Sequence, residues 1–116
     1  MEKIQITAKF KIHEGKVEDF KKIVGECVIK VKENEQGKGA LQYDWFFSPD
    51  QTKCVVREAY IDSNAVMTHM GNVGELLGQL FSISEFNLEV YGNPSEELQQ
   101  AASSLNPKVF SFYNGL

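Results

Sequence analysis

Arginine occurs once in this 116-residue chain, at Arg57, and the formal net charge is −4. No stripe of cations is available to neutralise phosphates, which excludes nucleic acid as an expected partner. Cysteine is nearly as scarce. Cys27 and Cys54 stand 27 positions apart in different segments and form no CxxC pair, so neither a disulfide scaffold nor a dithiol redox site is expected. Long apolar runs are missing too, and nothing approaches the ~20 residues that a membrane helix needs. Met1 leads directly into an alternating pattern with no apolar leader segment, so a cytoplasmic location with reduced thiols is the expectation. There are two histidines, His13 and His69, in segments of different type, and with two separated cysteines they make no metal-ligand spacing. Phosphate loops, nucleotide fingerprints and Ser-His-Asp arrangements are likewise absent. The chain is therefore expected to hold no metal or organic cofactor.

What remains is 42% apolar and 24% charged, an ordinary globular composition of one-domain length. Residues 3–12 alternate strictly: Ile4, Ile6, Ala8, Phe10 and Ile12 share one face, and Lys3, Gln5, Thr7, Lys9 and Lys11 the other. After the turn His13-Glu14-Gly15, Val17, Phe20, Val24, Cys27, Val28 and Val31 recur at helical spacing. Glu18–Lys22 and Glu26–Lys30 are expected i, i+4 pairs on the outer face. Gly25, costly in a helix interior, predicts a close packing contact. Asn34 to Gly39 ends this helix.

Two strands follow around the turn Ser48-Pro49-Asp50. Leu41, Tyr43, Trp45 and Phe47 are expected on one face with Phe46 on the other. Cys54, Val56 and Tyr60 alternate with Val55, Ala59 and Ile61. Both faces thus read as substantially apolar, which predicts a second subunit covering the helix-free side. Asp62 caps a helix expected to reach Met70, with Gly71-Asn72 as a stop or kink before Val73, Leu76, Leu77, Leu80 and Phe81. Phe86, Leu88 and Val90 predict a fourth strand ending at Gly92. Asn93-Pro94-Ser95-Glu96 reads as an Asn-capped helix start, and Asn106-Pro107 as its end, before an aromatic extended tail. The order strand, helix, strand, strand, helix, strand predicts a ferredoxin-like α+β sandwich with an antiparallel sheet. Residues 1–92 would form its core and 93–116 a C-terminal helix and tail of the same domain.

The run Tyr43-x-Trp45, Ser48-Pro49-Asp50, Arg57-Glu58-x-Tyr60-x-Asp62, Ala65-x-x-x-His69 resembles the antibiotic biosynthesis monooxygenase family. The ending from Gly92-Asn93-Pro94-Ser95 to Leu105-Asn106-Pro107 resembles the close of its quinol-monooxygenase-like members. That family often carries Trp where this chain has Tyr60. The resemblance implies a dimeric α+β barrel and metal- and flavin-free oxidation of a small phenol or quinol by O2. Triplet oxygen reacts poorly with neutral closed-shell molecules, so such a site must favour the substrate anion and hold it in place.

Five residues are candidates for that work. His69 falls on the inward stripe of its helix, and its side chain suits proton transfer near neutral pH; a structural histidine bridging helix and sheet fits the same spacing. Glu58, in mid-strand among apolar residues, needs a partner, either His69 or a lysine across the sheet. Tyr43, Trp45 and Tyr60 are placed to line an aromatic substrate pocket, or to be plain core. Two further functions stay open: an isomerase or decarboxylase using His69 as base on an enolisable molecule, and a non-enzymatic small-molecule-binding dimer.

Overall fold

The computed structural model describes residues 2–116. Strand β1 (Ile4–Ile12) leads into helix α1 (Val17–Asn34), then strands β2 (Ala40–Phe47) and β3 (Lys53–Tyr60), helix α2 (Ser63–Phe81) and strand β4 (Ser84–Tyr91). A short helix α3 (Glu96–Ala101), a 3-10 turn (Ser103–Leu105) and strand β5 (Lys108–Phe110) complete the chain. The sheet order is β2-β3-β1-β4-β5. The first four strands are antiparallel and realise the ferredoxin-like βαββαβ order. The tail adds a fifth strand that runs parallel to β4, pairing Glu89, Val90 and Tyr91 with Lys108, Val109 and Phe110.

The alternation of β1 dictates the layering. Ile6, Ala8 and Phe10 lie opposite Glu58, Val56 and Cys54 on one side and Val90, Leu88 and Phe86 on the other. Phe20, Val24 and Cys27 of α1, with Leu76 and Leu80 of α2, cover this face. The opposite face is mixed: Lys9 pairs with Glu89 at 3.3 Å, and Phe46 and Ile61 are exposed apolar side chains, while Leu41 is exposed at the β2 edge beside Val28 and Val31 of α1. The apolarity anticipated on both faces is thus concentrated toward β2 and β3. Leu41 sits at a register irregularity between Ala40 and Gln42, which turns it out to 58% exposure instead of into line with Tyr43.

Four local expectations are revised. Helix α2 runs unbroken through Gly71 and Asn72, because Val66, His69, Val73, Leu76 and Leu80 form one continuous buried stripe that outweighs the glycine. The cap of α3 is Ser95, whose hydroxyl accepts from the Leu98 amide at 3.1 Å, two residues beyond Asn93. A Cβ at Gly25 would meet nothing within 4 Å, so no close contact requires that glycine. On α1, Glu18 approaches Lys21 at 3.9 Å. The β2–β3 turn is tied by Asp50, whose carboxylate accepts from the Thr52 amide and from the Ser48 and Thr52 hydroxyls. Those bonds lower its pKa to about 2.

Candidate active site

Helical spacing puts the first group in place. His69 lies three residues after Val66 and four before Val73 on α2, so the stripe that packs α2 onto the sheet carries its imidazole inward, to 5% exposure. Asn72, one turn further along, projects beside it. Both side chains reach Glu35, the residue that caps the C-terminus of α1. His69 Nδ1 lies 3.0 Å from Glu35 Oε1 and 3.2 Å from Oε2, and Asn72 Nδ2 donates to Oε2 at 3.1 Å. A carboxylate at a helix C-terminus opposes the helix dipole, yet Glu35 is 4% exposed. Its burial is sustained by these two donors. The chain after Glu35 can press against α2 because residue 39 is glycine: with φ +152°, a Cβ there would come within 2.9 Å of Ala65 Cβ.

The second carboxylate comes from the sheet. Glu58 of β3 stands between Tyr43 of β2 and Ile6 of β1 on the helix-covered face. Its Oε1 accepts from the Tyr60 hydroxyl at 2.6 Å and lies 3.4 Å from His69 Nε2. His69 therefore has a carboxylate on each ring nitrogen. Burial pushes the Glu58 carboxyl above the ordinary range, offset in part by His69 and the Tyr60 hydroxyl. Burial also raises the Tyr43 and Tyr60 phenols, with nearby Glu58 adding to the effect, so both remain donors. The Tyr43 and Tyr60 rings pack on the imidazole at 5.1 and 5.2 Å between centroids.

Glu58, His69, Tyr43 and Trp45 all line an apolar cleft between the sheet and α2. Its other walls are apolar residues such as Ala8, Leu88 and Met70, and Leu98, Ala102 and Val109 of the C-terminal segment close over it. The cavity volume is about 60 Å³. A benzene molecule occupies an apolar cavity of about 150 Å³, so an aromatic ring enters only if flexible walls such as Met70 or the C-terminal segment give way. Cys27 and Cys54 are buried free thiols, pushed up to about 11 and about 12 by desolvation, and offer no nucleophile. Among the described residues no group of three histidine, cysteine or carboxylate side chains is arranged to hold a metal ion.

Of the five sequence candidates, His69, Glu58, Tyr43 and Trp45 converge on the cleft, while Tyr60 stands behind it and reaches the site through Glu58. Glu58 faces His69 and Tyr60 and no lysine. Glu35 and Asn72 were not identified from sequence. An acidic residue at the very end of α1, where the dipole disfavours it, was the available signal for Glu35.

No protein-family model matches the sequence, and no protein of curated function matches it significantly. Solved structures do match. MupZ from Pseudomonas fluorescens aligns over 100% of this chain and 94% of its own, with TM-score 0.81 and 24% identity. A candidate antibiotic biosynthesis monooxygenase from Caulobacter crescentus aligns over 77% of this chain and 87% of its own, with TM-score 0.69 and 23% identity. A single-site variant of SnoaB, a cofactor-independent oxygenase from Streptomyces nogalater, aligns over 82% and 96%, with TM-score 0.67 and 12% identity. This chain therefore has the ferredoxin-like fold of the antibiotic biosynthesis monooxygenase domain.

Proposed function

We propose that this protein is a cofactor-independent monooxygenase acting on a small phenol or quinol. The observation that carries the reading is a buried imidazole flanked by two carboxylates, at the wall of an otherwise apolar cleft. Glu35 accepts a hydrogen bond from Nδ1–H and orients the ring, which leaves Nε2 and Glu58 to exchange a proton with whatever occupies the cleft. A phenol deprotonated there donates one electron to O2, and recombination at the carbon para to the oxygen gives a peroxide. Loss of water then yields the quinone, so phenol plus O2 becomes quinone plus water, and the proton first removed is returned with the departing oxygen. The apolar walls keep the anion out of bulk water and admit dissolved O2, while the His69–Glu58 pair handles the protons.

A homodimer is part of this proposal. The exposed Phe46 and Ile61 lie toward the β2–β3 side of the helix-free face, and a permanent interface there should bury more than ~1,200 Å². Two buried free thiols favour a reducing, cytoplasmic setting, and no helix among the described residues is long and apolar enough to cross a membrane.

A second reading rests on the same proton relay. A carboxylate on each imidazole nitrogen also suits an isomerase or decarboxylase that moves a proton on an enolisable molecule. Oxygen-electrode assays with hydroquinones and phenols, run beside deuterium-exchange assays with enolisable ketones, separate the two. Oxygen uptake above autoxidation supports the monooxygenase. Exchange without uptake moves the assignment to the isomerase, and the absence of both leaves a binding protein.

A further inference from the structure

Trp45 is the only tryptophan of the chain. Among the described residues, its indole Nε1 is the one buried side-chain nitrogen or oxygen without a hydrogen-bond partner. Native structures pair nearly all such groups, because an orphaned donor costs about 1–3 kcal/mol. The ring cannot easily turn to find an acceptor. It stacks on Phe10 at 5.7 Å and meets the edges of Tyr43 at 5.6 Å and Phe20 at 6.4 Å. Trp45 lines the cleft, and a molecule that displaces flexible walls such as Met70 on entering it can deliver the missing acceptor.

The sheet fixes where that acceptor falls relative to the proton relay. Trp45 is two residues from Tyr43 on β2, and Tyr43 is the register partner of Glu58. Two residues of strand span roughly 7 Å, so the indole row and the Glu58 row are separated by about the reach of a substituted six-membered ring. We propose that Trp45 Nε1–H anchors an acceptor oxygen of the substrate, which is then an aromatic molecule with two oxygen functions. One of them exchanges a proton with the Glu58–His69 pair, and the other, a carbonyl or ether oxygen on a meta substituent that leaves the reacting para carbon free, takes the indole hydrogen bond. Simple phenols lacking the second oxygen leave the indole unpaired and bind less well. This inference rests on the reading of the cleft as the substrate site.

The test uses the full chain and two probes of matched size, 3-hydroxyacetophenone and 3-isopropylphenol, of which only the first carries the acceptor. A single tryptophan gives a single indole cross-peak in a ¹H–¹⁵N spectrum. The expected result is a downfield shift of that peak with 3-hydroxyacetophenone and no downfield shift with 3-isopropylphenol. Trp45→Phe should weaken the first probe about 2–12-fold, the worth of one neutral hydrogen bond, and leave the second unchanged. The wild-type shift stands as a readout even if Trp45→Phe folds poorly. Equal affinities with no indole shift would overturn the anchor while leaving a phenol site intact, and binding of neither probe would overturn both. An indole shift without oxygen uptake by any phenol would keep the anchor and retire the monooxygenase.

Discussion

Replacing Glu35 with glutamine probes the feature on which the site depends. The substitution keeps the shape of the side chain and removes its charge. In the wild type, one buried carboxylate serves His69 Nδ1 at 3.0 and 3.2 Å and Asn72 Nδ2 at 3.1 Å. A glutamine offers a single carbonyl oxygen, so it satisfies one donor and turns its own NH2 group toward the other. Two hydrogen bonds to a charged group, at about 1.5–3 kcal/mol each, become one neutral bond of about 0.5–1.5 kcal/mol. Relief from burying a charge returns part of the difference, leaving a net loss of about 1–3 kcal/mol. For a domain of this size that lowers Tm by about 3–15 °C. Thermal melts measure the stability term. Imidazole ¹⁵N shifts measure the chemistry, with the exposed His13 as internal reference. The wild-type His69 should carry its proton on Nδ1, and Glu35→Gln should move it toward Nε2. An unchanged Tm, together with an Nε2-protonated ring already present in the wild type, would refute the reasoning.

His69→Ala should cost about 3–5 kcal/mol, because it strips a buried partner from two carboxylates, and His69→Gln should fall between it and the wild type in chemical denaturation. Turnover should drop about 10²–10⁴-fold in both, since neither side chain exchanges a proton as imidazole does. Burial raises the Glu58 carboxyl, so the native state keeps a proton that the unfolded chain releases near pH ~4.3. Stability contributed by that proton is present below this pH and is lost as pH rises toward the raised value. Glu58→Gln has no proton to lose, so urea melts from acid to neutral pH should show a flatter decline than the wild type; an identical slope would count against a raised Glu58. Deleting residues 107–116 removes the β5 pairing and the stack of Phe110 on Tyr91 at 5.6 Å, and uncovers the cleft at Pro107 and Val109. The truncated chain should melt several degrees lower in a thermal scan, and an unchanged Tm would count against this contribution of the tail.

The βαββαβ core was legible in the sequence because each element repeats its signal: five alternating positions in β1, and a three-and-four stripe in each long helix. The breaks were harder to read. Gly71-Asn72 resembles a helix stop only when the neighbouring stripe is ignored, since tertiary packing sets helix continuity more than one residue's propensity does. Pro94 similarly suggested a start two residues before the serine that forms the cap. His69 and Glu58 stood out because a titratable group on an apolar stripe contradicts its surroundings. Glu35 did not, since it follows a polar helix end and its burial depends on a contact with α2, 34 residues later. Sequence spacing cannot display such a long-range pair. Asn72 was read as a helix breaker for the same reason, while its side chain in fact donates to Glu35.

Labelling with ¹⁸O2 reaches the central claim most directly. A substrate phenol with an unsubstituted para carbon is incubated with the enzyme under ¹⁸O2 in ordinary water, and the quinone is examined at once by mass spectrometry. The account predicts one ¹⁸O atom per quinone, formed above the no-enzyme rate and lost in His69→Ala. Quinone carrying no label, or no enzyme-dependent quinone from any phenol tried, would contradict it.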